Sequence, residues 1–555
     1  MSAEMMRPVY RYFSEGDLIF HIAYEGQDLS REEKQALTQA LINTLPHEFR
    51  RIREKICNGE SLLVGELPNL ANCTPDEQEI VTIAEDARRS AEQFFPDDQG
   101  LNELFKAYEG CDTFQTVGVL NANNDNKEAQ SLLIDTFPFL NITRDMYIEA
   151  DEVDLALLYI VGEMRLHFER HPLEIAKVAR FNISPNWRIA GSMSGGSLFS
   201  APGVIPVPDR GENQNIGVGT YGFEALDSQS ELGVILKQNQ KETFEIAKDQ
   251  SDSGVDVFIL DTLPSAGHLQ QIANRYDTNR LIQHFFEDLE TSGTARYATR
   301  GLKRLQYYTD YSDKDFFDPM LMVDGHDYDQ SPHGPFVAGV VRSIAANANI
   351  LMVQTINDKG VGTFKSMVWA MNQVSLYKAQ PDNRDRTVLV NLSFGLAIQP
   401  EDVGADLDYP PAKFLRFLID LEGDIDFLAE FNMALETLIA NDIHVIAAAG
   451  NDGTCGKCYP PRLPAGSQSA VGVGALSSAE PARPACYTNE PGVTSEDPKG
   501  VYAVGGKNNG RYTSEKEGIL SIYTNEKFPQ NRENKTGWGR WAGTSFATPV
   551  VTGTV

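Results

Sequence analysis

Ser545 lies where the chain could hold a nucleophile, in the run Gly543-Thr-Ser-Phe-Ala-Thr-Pro549. The small residues before it predict a tight turn, and the apolar residues after it predict a helix. Unpaired backbone N–H groups and the positive end of the helix dipole surround a serine at such a helix start. This environment favours a nucleophile whose attack creates an oxyanion. Because a serine hydroxyl is a weak nucleophile until a base removes its proton, we expect a histidine and an acid elsewhere in the chain.

Two upstream segments supply these partners. Residues 255–261 form a short apolar run that ends on Asp261 and is followed by a turn with Pro264. Such a run predicts a buried strand of a parallel sheet, and α/β proteins place their sites at the carboxyl ends of these strands. His333 precedes a small, apolar segment with Pro335 where the first turn of a helix is expected. A histidine can act as the base near neutral pH, while a buried carboxylate fixes its tautomer.

A fourth group is the side-chain amide of Asn451, which ends the apolar segment 444–451. That segment predicts another strand, with the amide at its end. A positioned amide can donate a hydrogen bond to a developing oxyanion, and deleting such a donor raises the barrier by about 3–4 kcal/mol. The sequence therefore contains an acid, a base, an oxyanion donor and a nucleophile in that order.

Together these segments resemble the motifs of subtilisin-like serine peptidases over about residues 250–555. The matching segments are Leu260-Asp-Thr262, His333-Gly-Pro-Phe-Val-Ala-Gly339, Ala448-Ala-Gly-Asn451 and Gly543-Thr-Ser-Phe-Ala-Thr-Pro549. The order of acid, base and nucleophile is also that of subtilisin. The resemblance implies that Asp261 orients His333, that His333 is the base for Ser545, and that Asn451 binds the oxyanion. It implies hydrolysis of peptide bonds through an acyl-enzyme, with no required cofactor.

The same resemblance implies a cleft for an extended peptide. Residues 388–395 resemble the strand whose edge pairs with the substrate, and residues 358–362 resemble the segment on the opposite side. The implied substrate-binding residues are Ser393, Phe394, Gly395, Gly360, Gly362, Ala448, Ala449, Gly450 and Cys458. Cys458 corresponds to a position near the base of the primary specificity pocket. Because this residue is uncharged, we expect cleavage after apolar or medium-sized residues rather than after Lys or Arg.

The chain also departs from the family pattern. Thr262-Leu263 follows the acid and Pro335-Phe336 follows the base where the family usually has other residues, but neither change replaces a reacting group. Val555 follows Ser545 by only ten residues. Family members continue with further packing elements, so the resemblance predicts a domain that is truncated at its C-terminus.

Two functions from other classes are alternatives to an active endopeptidase. A latent peptidase-fold protein would use the N-terminal region to bind a partner and the fold as a scaffold, but the presence of all four catalytic groups argues against it. A lipase-like hydrolase is disfavoured because Ser545 does not lie in a Gly-x-Ser-x-Gly turn. The order of acid, base and nucleophile is also wrong for that fold.

Composition restricts the partners. The 555 residues carry a formal net charge of −30, which argues against binding nucleic acid or anionic membranes. No run of 18 apolar residues predicts a membrane span. With no secretion signal after Met1, the sequence predicts a cytoplasmic protein, or a secreted one if the N-terminus is incomplete. Structural calcium is compatible with the acidic loops, but no stretch has a full ligand spacing.

Six cysteines do not form a disulfide framework in a chain of this length. Cys455-Gly-Lys-Cys458 lacks the setting of a redox motif and lacks the two further ligands of a zinc site. We therefore expect Cys455 and Cys458 to be a structural or unpaired thiol pair.

The order of predicted elements gives the domain organisation. Residues 250–555 alternate strands and helices, which predicts an α/β fold with a doubly wound, mostly parallel sheet. Residues 1–190 predict a mainly helical or α+β accessory domain, and its end faintly resembles an inhibitory propeptide. The flexible, uncharged start of residues 191–249 predicts a linker. If the enzyme matures by self-cleavage, we expect the cut between about residues 190 and 250, which would relieve intramolecular inhibition by the N-terminal region.

Overall fold

A computed structural model describes most of the two regions that the sequence predicts to be folded. The described residues are 13–24, 30–67, 74–106, 115–122, 127–138, 150–178, 180–191, 206–208, 254–264, 266–279, 281–283, 302–305, 322–323, 326–327, 329–345, 348–358, 360–396, 410–422, 429–453, 455, 459–479, 481–492, 500–509, 512–513 and 518–555.

Within these ranges the helices are α1 (Arg31–Cys57), α2 (Leu62–Glu66), α3 (Pro75–Phe94), α4 (Asp98–Lys106), α5 (Ala150–Arg170), α6 (Ala266–Arg275), α7 (His333–Ile344), α8 (Phe364–Ala379), α9 (Pro410–Glu422), α10 (Ala429–Ala440) and α11 (Thr544–Thr554). Short 3-10 helices occupy Glu174–Lys177 and Pro381–Asn383. The strands are β1 (Phe13–Tyr24), β2 (Gln115–Ala122), β3 (Lys127–Pro138), β4 (Arg180–Gly191), β5 (Val207–Pro208), β6 (Val255–Asp261), β7 (Leu302–Leu305), β8 (Met322–Val323), β9 (His326–Asp327), β10 (Asn349–Gln354), β11 (Val361–Thr363), β12 (Thr387–Leu392), β13 (Phe394–Leu396), β14 (Ile443–Ala448), β15 (Val471–Ala479), β16 (Ala482–Pro484), β17 (Val501–Val504), β18 (Asn508–Asn509), β19 (Tyr512–Thr513), β20 (Ile519–Ile522) and β21 (Trp538–Trp541). None of the helices in the described part of the chain is long and apolar enough to cross a membrane.

The chain divides into two compact units. The first contains residues 1–188, 363–372 and 398–441, and the second contains residues 189–362, 373–397 and 442–555. The first unit therefore draws two helices, α9 and α10, from the second half of the sequence. The functional boundaries expected at about residues 190 and 250 stay a prediction.

In the first unit, the spacing of Ser30 and Glu33, and of Thr74 and Glu77, predicts two capping boxes, and helices α1 and α3 begin directly after Ser30 and Thr74. Ser30 accepts a hydrogen bond from the Glu33 N–H, while the Glu33 carboxylate accepts from the Ser30 N–H. Thr74 and Glu77 make the same reciprocal pair at the start of α3. Each pair satisfies donors that would otherwise lack partners at a helix start. Helices α3 and α5 pack together, and α9 packs against both.

The local apolar pattern of residues 175–181 predicts a strand, but this prediction is wrong in its position. Glu174–Lys177 is a 3-10 helix, and the strand is β4, which begins at Arg180 and continues to Gly191. β4 pairs antiparallel with β1, and β1 pairs antiparallel with β3. Backbone pairing therefore sets this segment more strongly than its local hydrophobic pattern does.

The second unit confirms the predicted α/β class. Its main sheet has the described order β16-β15-β14-β12-β6-β10-β7, with β17 beside β15. The pairs on either side of β6 are parallel, as are those from β12 through β14 to β15, and β16 is the antiparallel edge. Parallel strands with their apolar faces buried need helices to cover them, and α7 packs against β6 and β10. Because β12 runs parallel to both β6 and β14, the carboxyl ends of β6 and β14 lie at the same edge of the sheet.

Candidate active site

The predicted acid and base form a buried pair. Asp261 ends β6 and His333 is the first residue of α7, and both side chains are fully buried. Nδ1 of His333 lies 2.8 Å from Oδ1 and 3.0 Å from Oδ2 of Asp261. Because a carboxylate accepts hydrogen bonds only, the imidazole must carry its proton on Nδ1. The other ring nitrogen, Nε2, is then the atom that can take a proton.

Thr262 holds both partners of this pair, because it bonds Asp261 and the start of α7, which carries His333. Its N–H donates to Oδ1 of Asp261 at 2.6 Å, and its hydroxyl accepts from the Gly334 N–H at 2.8 Å. A side chain at Gly334 would lie only 2.1 Å from the Thr262 carbonyl oxygen. Glycine is therefore required here because the start of α7 approaches the end of β6 so closely.

Two aromatic rings contact the imidazole of His333, and a third ring packs on both of them. The ring centroid of Trp541 lies 5.5 Å away, and that of Phe546 lies 5.3 Å away. Phe336 packs on both of these rings, at 5.4 and 4.8 Å. These buried rings fix the orientation of His333 and keep the pair out of water.

The hydroxyl of Ser545 points to a backbone acceptor. Ser545 is the second residue of α11, and its Oγ donates to the Ser393 carbonyl oxygen at 3.0 Å. In return, Oγ of Ser393 donates to the Ser545 carbonyl oxygen at 2.9 Å. Within a regular helix that carbonyl would accept from residue 549, but Pro549 has no N–H, so Ser393 supplies the donor. Among the described residues, Nε2 of His333 is buried without a hydrogen-bond partner.

Asn451 follows β14 and is tied to the turn before Ser545. Its Oδ1 accepts from the Thr544 N–H at 2.9 Å and from the Thr544 hydroxyl at 3.0 Å. These bonds turn the donor end of the amide, Nδ2, towards Gly543. A Cβ added to Gly543 would lie 3.5 Å from Nδ2 of Asn451. Gly450 has φ +111°, a conformation that favours glycine and lets the chain turn as it leaves the strand.

The turn before Ser545 also has a partner that sequence reasoning missed. The Gly543 N–H donates to the Gly505 carbonyl oxygen at 3.0 Å. The hydroxyl of Tyr487 donates to the Gly505 and Gly506 carbonyl oxygens at 3.0 and 2.8 Å. Burial raises the pKa of Tyr487, so its hydroxyl stays protonated as a donor. A lone tyrosine between two loops gives no sequence signal for this role.

One edge of the expected peptide cleft is occupied by a segment of the same chain. Strand β13 pairs antiparallel with the end of β4, with Phe394 opposite Gly191, Gly395 opposite Ala190 and Leu396 opposite Ile189. Both segments belong to the second unit. The edge of β13 therefore binds an extended peptide backbone, as a substrate-binding strand must.

The other expected substrate-binding residues are placed as follows. Ala448 ends β14, and Ala449 and Gly450 follow it directly before Asn451. Gly360 has φ +75° and approaches the Gln330 side chain, while Gly362 lies in β11. Cys458 lies outside the described residues, so the specificity assigned to it stays a prediction.

The expectation that Cys455 and Cys458 form a structural or unpaired thiol pair is wrong for Cys455. Cys455 forms a disulfide with Cys486, which is 31 residues further along the chain. No spacing rule indicates this partner, because the two segments meet only in the folded unit: the Gly453 N–H donates to the Tyr487 carbonyl oxygen at 2.9 Å. Within the described ranges, no cluster of three or more His, Cys, Asp or Glu side chains is arranged to hold a metal ion. Structural calcium stays a prediction.

Reducing this disulfide is expected to destabilise the second unit. Closing a loop of this length lowers the entropy of the unfolded chain by an amount worth about 3–4 kcal/mol in the chain-entropy view. Denaturant unfolding with and without a reductant measures the difference, with Cys486→Ser as the genetic counterpart. Cys57→Ser is the matched control because Cys57 is an exposed free thiol. Equal unfolding midpoints for the reduced and oxidised protein would contradict the expectation.

Comparison with known proteins gives the class to which this fold belongs. Residues 252–555, more than half of the chain, match the model of the subtilase family, Peptidase_S8. The chain therefore belongs to the subtilase family, and this membership supports serine-peptidase activity.

Individual relatives are distant. Subtilisin-like protease 2 of Pseudogymnoascus destructans is 24% identical over 158 residues, which cover 28% of this chain and 30% of that protein. The match thus spans less than a third of the curated relative. Among solved structures, a lanthipeptide protease is 18% identical with a TM-score of 0.33, covering 57% of this chain and 76% of its own. The epidermin leader peptide processing serine protease (EpiP) from Staphylococcus aureus is 14% identical with a TM-score of 0.37, covering 83% and 85%.

Proposed function

We propose that this subtilase is a serine endopeptidase that uses Ser545, His333 and Asp261. The observation that carries the proposal is the buried bond between His333 Nδ1 and Asp261, at 2.8 Å from Oδ1. This bond leaves Nε2 of His333 as the basic atom. The His333 side chain is fully buried, with 0% of it exposed. In the reaction His333 takes the proton of Ser545 as Oγ attacks the peptide carbonyl, and then gives it to the leaving amine.

The oxyanion of the tetrahedral intermediate would be held by Nδ2 of Asn451. The two bonds from Thr544 to Oδ1 support this role because they fix which end of the amide faces Gly543. Such a preorganised donor costs no reorganisation when charge develops. The N-terminus of α11 adds its dipole to the same stabilisation.

Catalysis requires one rotation of the Ser545 side chain. Oγ must leave the Ser393 carbonyl oxygen and turn to Nε2 of His333, which has no hydrogen-bond partner among the described residues. Rotation about a single side-chain bond is a fast event compared with enzymatic turnover. Catalytic hydrogen bonds also commonly tighten only in the complex with substrate.

The substrate is a protein or peptide bound in extended form along β13. The antiparallel pairing of residues 189–191 with Phe394, Gly395 and Leu396 supports this, since the same backbone groups can receive any extended chain. A strand-like cleft supports the endopeptidase proposal, because main-chain bonding does not depend on a free chain terminus.

We further propose that the end of β4 inhibits the enzyme within its own chain. Residues 189–191 occupy the strand edge that a substrate needs, and the small, uncharged residues that follow Gly191 in the sequence offer a cleavage site. Cutting there would free β13 for other peptides. Proteolysis between about residues 190 and 250 is thus the expected activating event.

Labelling with a fluorophosphonate probe tests the proposal. The probe reacts when Ser545 Oγ attacks phosphorus and fluoride leaves, so it requires the base and the oxyanion site together. We expect mass spectrometry to find the label on Ser545 after light proteolytic nicking, with slower labelling before it. Heat-denatured protein is the control for non-specific reaction. Absence of label in both the intact and the nicked protein would refute the endopeptidase.

A latent protein is the second candidate, and two observations favour it. The Ser545 hydroxyl is bonded to Ser393, and the peptide-binding edge is filled. Under this alternative the nicked protein, with its edge released, would remain unlabelled. The same labelling experiment therefore separates the two functions.

A further inference from the structure

A buried ion pair follows the proposed oxyanion donor directly in sequence. Asp452 accepts two hydrogen bonds from the guanidinium of Arg462, from Nε to Oδ2 at 2.7 Å and from Nη2 to Oδ1 at 2.9 Å. The side chains are only 7% and 10% exposed, respectively. Two parallel bonds of this kind fix both the distance and the orientation of the two groups. Asp452 is adjacent to Asn451, so the pair anchors the loop that carries the amide.

Arg462 also reaches the peptide-binding strand. Its third nitrogen, Nη1, donates to the Leu396 carbonyl oxygen at 3.1 Å, and the Leu396 N–H donates to the Leu463 carbonyl oxygen at 2.9 Å. The aliphatic stem of Arg462 fills the space beside two glycines. A Cβ added at Gly395 would lie 3.2 Å from Cβ of Arg462, and one added at Gly450 would lie 3.2 Å from its Cγ. One side chain therefore contacts both walls of the proposed cleft.

Asn489 completes the attachment of the loop. Its N–H donates to the Gly450 carbonyl oxygen at 3.0 Å, and its Oδ1 accepts from the Asp452 N–H at 2.8 Å. Its Nδ2 donates to Oδ2 of Asp452 and to the Pro460 carbonyl oxygen, at 2.8 and 2.9 Å. The Asp452 carboxylate thus has several buried donors, and removing one of them leaves charge uncompensated.

We propose that Arg462 is a positioning residue that fixes the Asn451 loop against strand β13. This inference rests on the proposed peptidase function. Its bonds to Asp452 set the position of the oxyanion donor, and its bond to Leu396 sets the position of the strand that holds the peptide. The oxyanion donor and the peptide-binding strand are therefore held in place by the same side chain. A shift of about 1 Å between such groups can lower the rate by about 100-fold.

The test compares Arg462→Met with a matched variant of another buried pair in the same unit. Arg386 bonds Asp256 in the same two-pronged way, at 2.5 and 2.6 Å. Asp256 lies at the opposite end of β6 from Asp261, about 17 Å away along the strand. Arg386→Met therefore removes an equivalent pair without touching the site. Arg462→Lys keeps the charge but cannot bond Asp452 and Leu396 in the same geometry.

The nicked enzymes are assayed on two substrates, with active sites counted by fluorophosphonate labelling. One substrate is a short ester without residues to pair with β13, and the other is a peptide with four residues before the cleaved bond. For Arg462→Met we expect kcat to fall tenfold to a hundredfold on both, with a raised KM for the peptide alone. Arg462→Lys should lie between this variant and the wild type. Arg386→Met should lower Tm but leave kcat and KM within twofold.

Amide hydrogen exchange gives a second measurement that does not depend on activity. We expect faster exchange at residues 450–453 and 394–396 in Arg462→Met, and wild-type exchange there in Arg386→Met. If Arg462→Met does not fold, the kinetics and the hydrogen exchange are measured on Arg462→Lys instead. Wild-type exchange and kinetics in the Arg462 variants, or equal effects of Arg386→Met, would overturn the proposal. An unlabelled, inactive wild type would refute the peptidase function instead, and exchange would still decide whether Arg462 connects the two segments.

Discussion

Replacing Ser545 with alanine is expected to lower kcat for peptide hydrolysis by about 10⁶-fold, the size of loss seen when the nucleophile of subtilisin, a member of the same family, is removed. The reason is that Ser545 Oγ forms the acyl-enzyme in the proposed reaction. The change removes one hydroxyl, which in the structure bonds the Ser393 carbonyl oxygen. Hydrolysis of a quenched fluorescent peptide by nicked wild type and nicked Ser545→Ala measures the effect.

Ser343→Ala is the matched control for this variant. Ser343 is a buried serine of α7 whose hydroxyl donates to the Gly339 carbonyl oxygen at 2.7 Å. Its removal tests for a general loss of folding without changing a reacting group. If cleavage of the chain after Gly191 is self-catalysed, Ser545→Ala must also remain uncut. Hydrolysis by Ser545→Ala at more than a hundredth of the wild-type rate would assign the chemistry to another residue.

Replacing Asp261 with asparagine is expected to lower kcat by about 10⁴-fold. Oδ1 of Asp261 accepts from both the Thr262 N–H and Nδ1 of His333. An amide in this place can turn its nitrogen towards the imidazole, and Nδ1 then has to accept rather than donate. The proton moves to Nε2, where the base must be free to take the proton of Ser545.

The same variant has a distinctive kinetic pattern. Because Asp261 does not contact the peptide-binding strand, KM should change little while kcat falls. Asn391→Asp is not a suitable control, since Asn391 bonds Ser393. Asp256→Asn is better because Asp256 is also a fully buried carboxylate of β6 but lies near the other end of the strand. Equal kcat values for Asp261→Asn and wild type would exclude His333 as the base oriented by Asp261.

The fold of the second unit could be predicted largely from sequence. Apolar runs that end on polar residues marked β6 and β14, and their alternation with helices indicated parallel strands. Capping residues predicted the starts of α1 and α3 in the first unit. These signals are local, so each could be read without knowing which segments meet in space. The register of β4 could not be predicted in this way, because its partners β1 and β13 lie more than 150 residues away in the chain.

The residues of the candidate site could be predicted from sequence motifs, but the hydrogen bonds between them could not. Motifs located Asp261 and His333, which the structure brings together, but they did not show that Ser545 would bond Ser393. That bond depends on a carbonyl oxygen left without its helical donor by Pro549. Cys486 and Arg462 were missed for a related reason. Their partners depend on how the loop after β14 folds on itself, on Leu396 and on the segment after β16, and no spacing in the sequence encodes these contacts.

The helices that the second half of the chain contributes to the first unit change what cleavage near residue 191 would produce. Phe414, Leu415 and Leu418 of α9 are buried, with the ring of Phe414 stacked on Tyr159 of α5 at 6.1 Å. Each such side chain stabilises the unit by about 1.5–3 kcal/mol. A cut chain would thus behave as a split protein, two polypeptides that complete one hydrophobic core. Dissociation of the N-terminal piece would expose this surface, so release of residues 189–191 from β13 after the cut would leave the rest of that piece held by α9.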